Sequence, residues 1–68
     1  MNKNDFKNAI KQYSFKPFII KISGEQKFEI YNSDSIAISP VGDICIIFSA
    51  DGHYHTIDIS KITSVEII

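Results

Sequence analysis

Two stretches of alternating apolar and polar residues, each folded back at a glycine, constrain the fold most strongly. The first spans residues 18–31 with Gly24 at its turn, and the second spans residues 44–59 with Asp51-Gly52 at its turn. Alternation of this kind is typical of half-buried strands, and a glycine between two such runs predicts a tight hairpin turn. The chain is therefore predicted to be a small antiparallel β protein.

The residues around the two hairpins extend this pattern to five strands. We expect the second strand to bend at Asn32-Ser33-Asp34, because Asn and Asp tolerate left-handed backbone angles. The third strand is apolar on both faces, which predicts burial against the core on one side and against the helix or a neighbouring subunit on the other. The expected strands cover residues 18–23, 27–39, 44–49, 54–60 and 63–68.

An amphipathic helix is predicted ahead of the strands, at residues 4–14. Asn4 is expected to cap its start, and Pro17 disfavours a helical backbone at the residue before it. We expect the apolar face of the helix to dock on the strands, and a partner-binding helix is the alternative. Four side chains at helical spacing form that face: Phe6, Ala9, Ile10 and Tyr13.

A chain of 68 residues with one cysteine has few sources of stability. It allows a single domain, residues 1–68, with the helix at 4–14 and a β-barrel at 17–68, and its core is small. Cys45 has no partner for an intrachain disulfide, so we expect a buried, inert thiol in a reducing compartment, the cytoplasm. Oligomerisation is left as the expected extra source of stability. We expect no membrane span, because the apolar runs are short.

The charges divide unevenly between the helix and the strands. Residues 1–14 hold three lysines against one aspartate, whereas residues 15–68 hold four lysines against seven acidic residues, and there is no arginine. An acidic barrel disfavours general nucleic-acid binding, which needs clustered positive charge. A small basic patch is left on the helix, at Lys3, Lys7 and Lys11.

The order of elements, a helix followed by a bent meander, a short turn and a last strand, resembles the Sm-like family. The closest local match is Ile-Asp-Ile-Ser-Lys-Ile-Thr-Ser-Val at residues 57–65, which looks like the strand–turn–strand segment of that family. The resemblance covers nearly the whole chain as a pattern. It implies a mainly β fold with one N-terminal helix and a small, bent, five-stranded antiparallel barrel of the SH3-like or Sm-like type.

The same resemblance implies a homo-oligomeric ring in which strand four of one subunit pairs with strand five of the next. The chain lacks the basic residues with which Sm-like proteins contact RNA, since it has Asp58-Ile59-Ser60 before the turn. It also resembles small uncharacterised bacterial proteins that begin strand one with Pro-Phe, here Pro17-Phe18, and this second resemblance implies no activity. The expected interface residues are Thr56, Asp58, Ser60, Thr63, Ser64 and Glu66.

One group of polar side chains stands out at the second hairpin turn and the strand after it. His53 and His55 alternate onto one face and could share a metal ion, but two histidines without a third ligand are an incomplete site. No serine or cysteine lies in a recognisable nucleophile motif. We therefore predict no catalytic residue, no metal and no cofactor. Possible ligand binding is assigned to Tyr31, Asp51, His53, Tyr54 and His55.

Three classes of function are left by these observations. The first is a non-enzymatic small-barrel binding module that self-associates through strand edges and holds a protein or small molecule at subunit boundaries. The second is an Sm-like RNA-binding protein that uses the three helix lysines and the exposed tyrosines. The third, ranked last, is a small enzyme or metal protein that uses His53 and His55.

Overall fold

The computed structural model describes residues 1–13 and 16–68. Its first element is helix α1, Lys3–Gln12, which Asn2 caps by accepting the Asp5 backbone N–H on its side-chain oxygen at 2.8 Å. The predicted cap at Asn4 is wrong, because Asn2 has the extended backbone of a cap and Asn4 already lies within the helix. The predicted last helical residue, Ser14, lies outside the described residues.

Strands make up most of the rest of the described chain. β1 is Phe18–Ile22, β2 is Gln26–Ile30, β3 is Ile36–Ile38, β4 is Ile44–Phe48, β5 is Tyr54–Asp58 and β6 is Ile62–Ile67. They form two antiparallel sheets of three strands: sheet A has the order β2-β1-β6, and sheet B has the order β3-β4-β5. The prediction of a mainly β protein with one N-terminal helix is confirmed.

A short 3-10 turn, Ser33–Ser35, replaces the bend that was predicted in the second strand. The Ser35 N–H donates to the Asn32 carbonyl oxygen at 3.0 Å, and the chain passes here from sheet A to sheet B. The predicted second strand is therefore two strands, β2 and β3, in different sheets. Over residues 1–13 and 16–68 the strands form no closed five-stranded barrel.

A single cluster of buried side chains joins the helix to both sheets. Phe6 is the buried residue of α1, and the helix packs against β6 and against a second 3-10 turn, Ile59–Lys61. Cys45 is fully buried and free, as predicted, and burial raises the pKa of its thiol to about 11. The core consists of Phe6, Phe18, Ile20, Ile22, Ile30, Cys45, Ile47, Ile57, Ile59 and Ile62.

The two faces of β4 differ more than the sequence predicted. Cys45 and Ile47 face the core, but Ile44 is 42% exposed and Phe48 is 45% exposed on the opposite face. The helix does not bury that face, because α1 packs on β6 and the second 3-10 turn. The prediction that the helix covers this second face of β4 is therefore wrong, and its burial by a neighbouring subunit stays a prediction.

Candidate ligand-binding surface

The turn between β4 and β5 is built by a small network of polar side chains. Asp51 accepts hydrogen bonds from the Ser49 hydroxyl and from the His53 backbone N–H, the latter at 3.2 Å. Its second oxygen lies 3.0 Å from His53 Nδ1. The Ser49 hydroxyl, followed by His53, holds the pKa of Asp51 below its ordinary value. Gly52, with φ +88°, supplies the left-handed backbone angle that the turn requires.

The order of contacts in this turn differs from that of a hydrolytic triad. A nucleophilic serine needs a base in contact with its hydroxyl, and that base is usually a histidine. Here the carboxylate lies between the other two groups, and the Ser49 hydroxyl contacts Asp51 and the His53 carbonyl oxygen. The imidazole is also 79% exposed. The arrangement stabilises a hairpin turn.

His55 has a different environment from His53. Its ring lies against Phe28 of β2, with centroids 5.1 Å apart and planes tilted by 48°. The two histidines that could have shared a metal ion are thus engaged separately, one with Asp51 and one with Phe28. Within the described part of the chain no group of three or more His, Cys, Asp or Glu side chains could hold a metal ion.

Tyr31 lies at the end of β2 beside an open groove. Its hydroxyl donates a 2.7 Å hydrogen bond to Glu29, which raises the pKa of Tyr31 and fixes the ring while leaving the residue 60% exposed. The groove, called here the Tyr31–Phe48 groove, has a volume of about 560 Å³. It is lined by Glu29, Tyr31, Asn32, Asp34, Ser35, Phe48, Ser49 and Ala50.

A second hollow of about 500 Å³ lies next to this groove, at the β4–β5 turn. It is lined by Ser49, Asp51, Gly52, His53, Tyr54 and His55. Ser49 lines both hollows, so the five predicted ligand-binding residues belong to two adjoining surfaces. The sequence missed Glu29, Asp34 and Phe48. Phe48 had no distinguishing signal in the sequence, because both faces of β4 are apolar, and only the structure shows that the face with Phe48 stays exposed.

The lysines predicted to form a basic patch line neither hollow. Lys3 donates a 2.9 Å hydrogen bond from Nζ to the carbonyl oxygen of Gly42, in the turn before β4. Lys7 and Lys11 are exposed on the helix. The structure therefore does not bring the lysines together with Tyr31 or Tyr54 in these surfaces.

The outer edge of β5 presents main-chain groups that sheet B does not pair. In an antiparallel sheet, alternate residues turn their N–H and C=O toward the same neighbour. Hydrogen bonds from Ser49 N–H to His53 O and from Ile59 N–H to Asp43 O turn the odd-numbered residues of β5 toward β4. The even-numbered residues turn theirs outward: Tyr54, Thr56 and Asp58.

The outer edge of β6 is open in the same way. The Ile68 N–H donates to Pro17 O at 3.2 Å, so Ser64 and Glu66 turn their main-chain groups toward β1. Val65 and Ile67 turn theirs outward. Two side chains of this strand contact β1 of the same molecule: Glu66 pairs with Lys21 at 2.6 Å, and the Thr63 hydroxyl donates to Lys21 O at 3.1 Å. Lys21 lowers the pKa of Glu66.

Ser60 is the one predicted interface residue that lies in the second 3-10 turn. Its N–H and hydroxyl both donate to Asp58 Oδ1, at 3.0 and 2.7 Å. These bonds, with the hydroxyl as the larger contribution, lower the pKa of Asp58. The pair fixes the corner between β5 and β6, which holds the two open edges in one geometry.

No family model, curated protein or solved structure matches this chain. Among the described residues, none of the helices is both long and apolar enough to cross a membrane.

Proposed function

We propose that this protein is a non-enzymatic binding module with an Sm-like arrangement of strands that self-associates through the free edges of β5 and β6. The observation that carries the proposal is that both strands are outermost in their sheets. They are joined by the short corner Ile59–Lys61, so one molecule offers two open edges close together in sequence. The cytoplasm, where a free thiol stays reduced, is the proposed compartment.

The chain order supports the Sm-like arrangement. If β2 and β3 are counted as one strand broken by the turn Ser33–Ser35, the elements are a helix, a bent meander, a 3-10 turn and a last strand. β1 pairs with both β2 and β6, which brings the last strand back beside the first. The break between β2 and β3 is where this chain departs from a continuous bent strand.

Pairing of the two edges between molecules would satisfy main-chain groups that water otherwise solvates. β5 offers three outward residues, and β6 offers Val65 and Ile67. Open edges favour pairing with another chain, and a head-to-tail contact of unlike edges closes into a ring when the rotation allows. Each main-chain hydrogen bond gained would contribute roughly 0.5–1.5 kcal/mol. The ligand, a protein or small molecule, would bind near these boundaries, because Tyr54 belongs to both the β5 edge and the hollow at the turn.

The oligomer is tested by the mass of the purified protein in native mass spectrometry and light scattering. We expect multiples of the 7.7 kDa chain. Thr56→Pro removes one outward N–H at an edge, where proline is tolerated, and should give a folded monomer. Thr56→Ala is the matched control and should stay oligomeric. A wild-type monomer at high concentration, or an oligomeric Thr56→Pro variant, would refute the edge pairing.

A second candidate function, RNA binding, is supported by one observation. Tyr31 and Tyr54 are 60% and 67% exposed, and exposed aromatic rings can stack on bases. Lys7 and Lys11 would supply contacts to phosphates from the helix. Short single-stranded RNA should then bind at low salt and lose affinity in Lys7→Gln/Lys11→Gln. Absence of binding at low ionic strength would exclude this function.

A further inference from the structure

We propose that the Tyr31–Phe48 groove binds an extended segment of a partner protein that carries arginine or lysine. This inference rests on the proposed function, chooses a protein as the ligand of the binding module, and places it in the groove that adjoins the hollow at the β5 edge through Ser49. The groove is open rather than enclosed, and its lining residues come from the end of β2, the turn Ser33–Ser35 and the start of the β4–β5 turn. A shape of this kind suits a chain that lies across the surface.

Aromatic rings form the apolar part of the surface. Tyr31 is 60% exposed and Phe48 is 45% exposed, and both line the groove. Phe48 lies directly opposite Tyr54 in the β4–β5 register, and Tyr54 is 67% exposed. Two exposed aromatic side chains thus line the groove and a third, Tyr54, lines the adjoining hollow. Such side chains are enriched where proteins bind other proteins.

Charge complementarity selects the partner. Glu29 and Asp34 line the groove, Asp51 lies in the adjoining hollow, and the described lining residues include no lysine or arginine. One oxygen of the Glu29 carboxylate, Oε2, already accepts the hydrogen bond from the Tyr31 hydroxyl. A guanidinium or ammonium group can lie over an aromatic ring and contact a neighbouring carboxylate at the same time. An anionic partner such as RNA would instead face two carboxylates.

The main chain of β2 favours an extended partner. Because Pro17 O accepts the Ile68 N–H, the odd-numbered residues of β1 turn toward β6 and the even-numbered ones toward β2. In the β1–β2 register, Glu29 is opposite Ile19, so the Glu29 N–H and C=O turn away from β1. A peptide in a strand conformation can bond to that edge while its side chains reach the groove.

Fluorescence anisotropy with three labelled nonapeptides tests the charge. In each peptide glycine alternates with one kind of charged residue, which is arginine in the first, lysine in the second and glutamate in the third. We expect the arginine peptide to bind more tightly than the lysine peptide, and the glutamate peptide not to bind. Glu29→Gln/Asp34→Asn should weaken binding about tenfold, because it removes two exposed charge contacts that each contribute an ordinary amount to the affinity. Glu25→Gln/Asp43→Asn removes the same charge outside the groove and should change affinity less than about twofold.

The aromatic contacts are tested separately, because a negative protein attracts any cation. Tyr31→Ala and Phe48→Ala should each weaken the arginine peptide about threefold or more. Tyr31→Phe should retain binding, and so should Ile44→Ala, which removes an exposed apolar side chain at the far end of the same strand. Circular dichroism of each variant checks that it is folded.

Several results would overturn the inference. Equal weakening by the two charge pairs, no effect of the aromatic variants, or tighter binding of RNA than of the arginine peptide would each do so. Spermine that competes with the peptide and matches its affinity would show a site for small polyamines instead. The mass of the same samples reports self-association independently. An oligomer that binds no peptide refutes this inference alone, and a monomer that binds the peptide refutes the edge pairing alone.

Discussion

Replacement of Phe6 by alanine is expected to remove much of the stability of this protein. Phe6 is fully buried and packs α1 into the core that both sheets share. Truncation of a buried phenylalanine typically costs about 3–5 kcal/mol. A domain of 68 residues has about 3–10 kcal/mol of stability in total. Phe6→Ala is therefore expected to lose about 30% or more of the folding free energy.

Urea unfolding measures this loss when far-ultraviolet circular dichroism and tyrosine fluorescence are followed together, since the chain has no tryptophan. Lys7→Ala is the matched control on the exposed face of the same helix, and it should change stability by less than about 0.5 kcal/mol. If Phe6→Ala lost the helical signal while the sheets unfolded at the wild-type urea concentration, α1 would be an appendage and the partner-binding interpretation of the helix would be favoured.

Three further predictions concern the turns and the thiol. Gly52→Ala should lower the free energy of unfolding by about 1–2 kcal/mol, because alanine is strained in the left-handed backbone conformation, although no atom crowds the new methyl group. Asparagine tolerates that conformation better, so Gly52→Asn should lower the melting temperature less. Asp58→Asn should be less stable than wild type at pH 7. The folded-state pKa of Asp58 is lowered, so its contribution to stability is present above the ordinary pKa of 3.8 and is lost as the pH falls through the folded value. The unfolding free energies of the two proteins should therefore converge in acid. A difference that stays constant with pH in urea unfolding would contradict this. Cys45 should react with a thiol reagent only as fast as the protein opens, and rapid labelling under native conditions would refute its burial.

Local alternation predicted the strands well because it reports which residues face the core. Phe18, Ile20 and Ile22 face inward as their spacing predicts, and the Gly24 and Gly52 turns join the expected strands. The same alternation could not predict how the strands close. Whether Asn32-Ser33-Asp34 bends one strand or ends it depends on which strands pair on either side of it. β2 pairs with β1 and β3 pairs with β4, in different sheets, and alternation within residues 27–39 does not report that difference.

The candidate surface was predicted only in part, for a related reason. The sequence indicated Tyr31, His53 and Tyr54 near turns, because tyrosine and histidine carry polar groups that need a hydrogen-bond partner when they are buried. Phe48 was assigned to a buried face, since apolar residues on both sides of a strand usually indicate two covered sides. Which of the two sides stays open depends on where the helix docks, and that position is set by the burial of Phe6 rather than by any pattern within β4.

The pairing of β1 with β6 has a consequence for the order in which the molecule is made. Sheet B is a local meander, whereas Phe18 pairs with Ile67 at the other end of the described chain. A growing polypeptide can therefore pair β3, β4 and β5 early, but one side of β1 and the place where Phe6 docks stay uncovered until residues 59–67 have been synthesised. Nascent chains shorter than this should expose an apolar helix and strand, and should be recognised by chaperones for as long as translation is paused there.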